Sequence, residues 1–184
     1  LACKKGQPPQ DQVAPFVDQT LHTLNQAIAA DPKNDSLYKE RGLYLMQTES
    51  YDSAIIDFSQ ALDIDSIKKP LYYHYLADAY LMSAQSRLAN GTMDRALSHF
   101  PNHIPTILKA AEIKLILKQY LQALTTLDQV FMRDPQNAEG YYLAGHVFYE
   151  MKDTGRAINS YQKAVDINPE MRKAWVQLGD VLLE

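Results

Sequence analysis

Five histidines, one cysteine and two closely spaced aspartates are the side chains of this sequence best suited to chemistry, and their spacing argues against it. A zinc site needs ligands brought to one point, often two histidines four apart on a helix with a carboxylate beside them. Of His22, His74, His99, His103 and His146, His99 and His103 have that spacing. Pro101 lies between them and breaks the helix that would align them. Histidines so placed read as solvated surface residues. Cys3 has no base nearby in sequence and sits in a polar stretch, which does not favour a catalytic thiol. Asp63 and Asp65 flank Ile64 near a helix end, where carboxylates cap or solvate. There is no glycine-rich phosphate loop and no nucleophile elbow. Lys4-Lys5 and Lys68-Lys69 are too short for a basic patch. The expectation is a non-enzyme with no catalytic residue, no metal and no cofactor.

What does recur is a set of packing residues. Gly42, Ala77, Ala111, Gly145 and Gly179 are spaced by 35, 34, 34 and 34 positions. Tyr38, Tyr73, Tyr141 and Trp175 stand four places earlier, with Ile107 in the slot that lacks a ring. Ala27, Ala61, Ala96, Val130 and Ala164 keep the same interval, as do Pro32, Pro101, Pro135 and Pro169, with Ser66 where another proline is due. A fixed period of this size specifies stacked units, each burying its apolar face against its neighbours. Function in such an architecture lives on a repeated surface and in a partner.

Composition agrees. Apolar residues make up 46% of the 184, as in a folded soluble protein, and the net charge of −4 attracts no phosphate backbone, so nucleic acid is not the expected partner. No apolar run reaches the length of a membrane span.

Each unit reads as two helices. Tyr73, Leu76, Ala77 and Tyr80 form an i, i+3, i+4, i+7 stripe, followed by a second helix carrying Ala89, Met93, Ala96 and Leu97 on one face. Tyr141, Ala144, Gly145 and Phe148 repeat the first stripe, and Ala157, Tyr161 and Ala164 the second. Rings over small residues let helices approach closely. Gly42, Gly145 and Gly179 are read as places where a Cβ would push a neighbouring helix away. Asn90-Gly91-Thr92 have weak helix preference, so fraying is expected there.

This pattern resembles the tetratricopeptide repeat. The matching residues are Tyr38-Gly42-Leu45-Ala54-Phe58-Ala61, Tyr73-Ala77-Tyr80-Ala89-Met93-Ala96-Pro101, Ala111-Ala123-Leu127-Pro135 and Tyr141-Gly145-Phe148-Ala157-Tyr161-Ala164-Pro169. Lys114 departs from it where an aromatic is usual, and Val130 where alanine is usual. The resemblance implies an all-α, right-handed α-solenoid of helix-turn-helix units. The units are a tether over 1–13, a half repeat over 14–34, whole repeats over 35–69, 70–103, 104–137 and 138–171, and a half repeat over 172–184. Trp175, Leu178, Leu182 and Leu183 lie on a first helix whose second helix is not in the sequence. The expectation is that the natural chain continues or that another chain pairs there.

The family's first helices line a concave face that holds a peptide. Carried over, this implies a site of Lys39, Leu43, Met46, His74, Asp78, Met82, Leu108, Glu112, Leu115, Ile116, Tyr142, His146 and Tyr149, with Gln47, Leu81, Glu150, Val176 and Asp180 alongside. Met82, Leu115, Ile116, Tyr142 and Tyr149 are the expected anchors. Asp78, Glu112 and Glu150 beside them imply a partner with basic flanks. Leu81 and Leu115 equally fit a packing role between neighbouring first helices. The carboxylate clamp of the family's chaperone-binding members is depleted: its places hold Lys39 with Leu43, Tyr75, and Pro105 with Lys109, so that mode is rejected.

The opening Leu1-Ala2-Cys3 resembles the end of a bacterial lipoprotein signal. That resemblance implies lipidation of Cys3, the only contact with a membrane, and a place in the bacterial periplasm or outer membrane. The residues alone equally fit a stray cysteine in a tail and a cytoplasmic protein. Two classes of function stand. One is a non-catalytic scaffold whose concave groove binds a protein or peptide in the cell envelope. The other is a structural or assembly subunit that joins other chains through its ends and outer face.

Overall fold

A computed structural model describes residues 18–65 and 69–183. Cys3, the tether, the expected helix start at Ala14, Ser66 and Glu184 lie outside the described residues. Among those described there are ten α-helices and no strand: α1 (Gln19–Ala30), α2 (Asp35–Gln47), α3 (Tyr51–Ile64), α4 (Pro70–Met82), α5 (Ser86–His99), α6 (Ile104–Ile116), α7 (Tyr120–Arg133), α8 (Ala138–Glu150), α9 (Thr154–Ile167) and α10 (Arg172–Leu183). The fold is an α-solenoid. Helices α2/α3, α4/α5, α6/α7 and α8/α9 are antiparallel pairs. Each pair packs on the next, and the first helices α2, α4, α6 and α8 touch one another in turn. α1 stands as a second helix and α10 as a first helix.

Short-range chemistry fixes the helix ends. Asp18, Asn34, Asn137 and Asp153 accept hydrogen bonds from the free amides of the first turns they precede. Pro70 and Pro105 occupy first turns, where a missing N–H costs nothing. Within each pair the turn is closed by one residue in the left-handed region: Glu49, Ala84, Lys118 and Lys152, with φ of 58°, 59°, 58° and 64°. Around Ala84, Gln85 N–H bonds the Tyr80 carbonyl at 2.7 Å and Ala84 N–H that of Leu81 at 3.0 Å. This is the two-bond αL closure of a helix C-terminus.

The period of the sequence has a direct structural cause. Tyr38 Oη donates to the Pro32 carbonyl at 3.1 Å, Tyr141 Oη to that of Pro135 at 3.2 Å, and Trp175 Nε1 to that of Pro169 at 2.9 Å. Ring and proline thus tie α2, α8 and α10 to the turn before each, whereas Tyr73 Oη of α4 has no hydrogen-bond partner among the described residues and α6 carries Ile107 in the ring's place. The core lies inside and between the pairs, where Ala54, Phe58, Ala61, Tyr73, Ala77, Ala89, Met93 and Ala96 are fully buried.

Two packing expectations are corrected. The Cβ that Gly179 lacks would meet nothing within 4 Å, because no helix of the described chain crosses α10 there. The Asn90-Gly91-Thr92 stretch does not fray. α5 is continuous, held by burial of Ala89, Thr92, Met93 and Ala96, and tertiary packing outweighs the local propensity.

Candidate functional site

Successive first helices bring their exposed stripes side by side, and eight of the thirteen residues expected to form one groove fall into three clefts. The central one, of about 390 Å³, is lined by His74, Pro105, Leu108, Lys109, Glu112, Glu139, Tyr142, Leu143 and Lys173. It spans α4, α6, α8 and α10. A second, of about 260 Å³, lies toward the helix C-termini and contains Leu115, Ile116, Lys118, His146 and Glu150. A third, of about 550 Å³, sits where Gln19, Thr20, Thr23 and Leu24 of α1 face Glu40, Leu43, Tyr44 and Gln47 of α2.

Among the remaining expected residues, Lys39 pairs with Glu40 at 3.7 Å, and Met46 packs against the core. Asp78 joins the central cleft through its ion pair. Met82 is 56% exposed and Ile116 52%, and Ile116 lines the second cleft. Leu81 packs on the core, as one of the two readings of it had it. Tyr149 is half-buried against the cluster of Ala157, Tyr161 and Leu178.

The central cleft is charged but internally balanced. Lys109 Nζ lies 2.6 Å from Asp78 Oδ1 and 3.0 Å from Glu112 Oε2, joining α4 to α6. Burial would depress this ammonium, but the two carboxylates outweigh it and raise its pKa. Lys173 Nζ lies 2.5 Å from Glu139 and 4.4 Å above the centre of the Tyr142 ring. Lys109 and Lys173 therefore offset part of the expected acidic charge, while Glu150 lies in the second cleft. Three carboxylates against two ammonium groups leave a balance of −1, with each charge partnered.

Lys109, Glu139 and Lys173 were missed, although the period held a signal for two of them. Glu139 and Lys173 are 34 residues apart, as are Asp35 and Lys69, which also pair. Opposite charges one period apart occupy the same place on neighbouring first helices.

Two histidines of this surface, His74 and His146, are held toward the neutral form. His74 hydrogen-bonds Thr106 Oγ1 at 3.0 Å, and His103 reaches the same hydroxyl at 2.8 Å. Burial, aided by the charges of Lys109 and His103, lowers His74 to about 4. Burial and then Lys173 lower His146, while burial raises the Tyr142 phenol. His146 meets Tyr142 edge-to-face, with ring centres 4.6 Å apart. Among the described residues, no group of three or more His, Cys, Asp or Glu could hold a metal ion, and no helix is long and apolar enough to cross a membrane. Stacking faces and paired charges thus adjoin on this surface.

Residues 17–66 and 138–171 each match a model of the tetratricopeptide repeat. The chain is 25% identical over 177 residues to a DnaJ protein P58IPK homolog of Arabidopsis thaliana, covering 88% of this chain and 37% of that protein. It is 27% identical over 164 residues to a peroxisomal targeting signal receptor of Kluyveromyces lactis, covering 83% and 27%. It thus spans well under half the length of these relatives. In fold it is similar to the crystal structure of a thermophilic TPR protein in Thermus thermophilus, with a TM-score of 0.72, 15% identity, and 89% of each chain covered.

Proposed function

We propose, for a chain that is a tetratricopeptide repeat protein, that it serves as a non-catalytic scaffold whose concave face binds a peptide or helix of another protein. One observation carries this reading. The central cleft gathers side chains from four successive first helices, includes the Tyr142 ring, and adjoins through His146 the cleft that holds Leu115 and Ile116. Concave, partly apolar surfaces with a few placed polar groups are where ligands bind. The name of one relative, a targeting signal receptor, points the same way. Because the cleft's charges are already paired, apolar and stacking contacts carry the affinity, and salt changes it little. The net charge of −4 disfavours nucleic acid as the partner.

The experiment is a selection of phage-displayed random peptides on the parent protein, followed by binding to Tyr142→Ala and Tyr149→Ala. The reading expects the selected peptides to lose affinity for both variants, Tyr142→Ala most. Peptides that bind all three proteins equally place the partner elsewhere.

α10 supports a second reading, a subunit that joins other chains through its end. Trp175, Val176, Leu182 and Leu183 are exposed there, next to the open Gly179. A concentration-dependent dimer abolished by Leu182→Lys would favour it over the groove. A bacterial envelope location through a lipid at Cys3 belongs to the scaffold proposal. Labelled palmitate should enter the protein as expressed from its natural gene in a bacterial host and be lost with Cys3→Ser.

A further inference from the structure

The hydroxyl of Tyr161 is one of four buried side-chain polar atoms among the described residues that hydrogen-bond nothing, with Tyr73 Oη, Asn90 Oδ1 and Gln119 Oε1, and it is the one whose ring packs against residues of both clefts. Tyr161 lies on α9, the second helix of its pair, and is fully buried. Its ring crosses α8 at Gly145, where a Cβ would lie 2.5 Å from it. Its Oη is buried with no hydrogen-bond partner among the described residues. Packing does not need that hydroxyl. Phe58 holds the same position in the first whole repeat, crosses Gly42 in the same way, and stacks on Tyr75 with ring centres 5.5 Å apart.

On the concave side of Tyr161 stand Tyr142 and His146, with ring centres 6.1 and 5.5 Å away. Tyr142 belongs to the central cleft and His146 to the cleft of Leu115 and Ile116. The two rings, one from each cleft, meet with centres 4.6 Å apart, and the Tyr161 ring packs against both. A buried polar group without a partner costs free energy, and that cost is recovered when a ligand supplies the partner.

We infer that Tyr161 is a specificity-determining residue of the groove, hydrogen-bonding an uncharged amide of the bound segment once Tyr142 and His146 part. This rests on the groove reading above. The paired charges of the adjoining central cleft favour an uncharged group. A charged group would have to part Lys109 from Asp78 and Glu112, or Lys173 from Glu139. A carboxamide offers both a donor and an acceptor to a phenol, and a flat face to the neighbouring rings. Burial raises the Tyr161 phenol, so it stays protonated at neutral pH and can donate.

The test uses Tyr161→Phe, a substitution that Phe58 shows this packing accepts. Without ligand, the variant should melt at the parent's temperature or above, because it sheds an unpartnered hydroxyl. A lower melting temperature means that the hydroxyl is already engaged in the free protein and overturns the inference. With peptides selected on the parent from a random phage display, Tyr161→Phe should weaken binding about tenfold, the effect of a hydrogen bond lost in a desolvated site. Replacing the peptide's Asn or Gln by Leu should weaken binding to the parent and leave binding to Tyr161→Phe nearly unchanged. Equal affinity of parent and Tyr161→Phe for peptides that Tyr142→Ala rejects overturns the inference and leaves the groove reading standing. Peptides indifferent to Tyr142→Ala, or a selection that yields none, bring down the groove reading and this inference together.

Discussion

Gly145 and Tyr161 are fitted to one another: the Tyr161 ring fills the space a Cβ at position 145 would need, at 2.5 Å, and Phe58 does the same over Gly42 at 2.6 Å. Gly91 and Gly179 lie in helices with nothing within 4 Å of the corresponding point. Alanine should therefore act with opposite signs. At Gly91 it should stabilise by about 1 kcal/mol through helix propensity. At Gly145 the same gain is exceeded by overpacking against a fully buried ring, for a net loss of about 1–2 kcal/mol. Urea midpoints of the two variants check this, and a shared sign would contradict it.

The left-handed turn residues make a second prediction. Ala84 sits at φ 59° and is exposed, so its side chain contributes no burial. A non-glycine residue there is strained by about 1–2 kcal/mol, of which the extra entropy of unfolded glycine takes back part. Ala84→Gly should raise stability by about 0.5–1 kcal/mol, read as a higher melting temperature.

Arg41 and Asp57 predict an asymmetry. Arg41 contacts Asp57 through two bonds of 2.8 and 2.6 Å and also donates to Asn25 at 2.7 Å. The Asp57 side chain is 3% exposed and that of Arg41 22%. Arg41→Ala strands a buried carboxylate and should cost about 3 kcal/mol. Asp57→Ala leaves a cation that water and Asn25 still reach, and should cost about 1 kcal/mol. Chemical denaturation of both variants measures the difference.

The pH dependence follows from His74, whose pKa falls from 6.5 to about 4 on folding because burial, then Lys109 and His103, disfavour its charge. Between these values the unfolded state binds the extra proton, so stability is full above pH 6.5 and declines as pH drops toward 4. His146 is lowered in the same direction, by burial first. Urea midpoints at pH 7, 6 and 5 should fall, and His74→Gln should flatten the decline. A steeper fall in that variant would contradict the assignment.

The fold was legible because its determinants are periodic. The tyrosines, small residues and prolines that recur in the sequence are the groups that touch, as the Tyr141–Pro135 and Tyr161–Gly145 pairs show. Features that depend on a specific neighbour were not legible. Gly179 carries the same residue type as Gly145, but what crosses it is a matter of the next helix. Lys114 stands in an aromatic slot, and only the structure shows its ammonium 3.3 Å from Asp94 of α5. In the groove, residue positions on the first helices could be read, but not their side-chain pairing. Lys109 reaches back to α4 and offsets part of the acidic surface inferred from Asp78, Glu112 and Glu150.

The most direct test is to map a selected peptide onto the protein by amide chemical-shift perturbation. The account predicts the largest shifts at Leu108, Glu112, Ile116, Tyr142 and His146, across α6 and α8, with little change in the map between low and high salt. Shifts confined to α10 around Trp175 and Leu182, or to the second helices α3, α5 and α7, would contradict it.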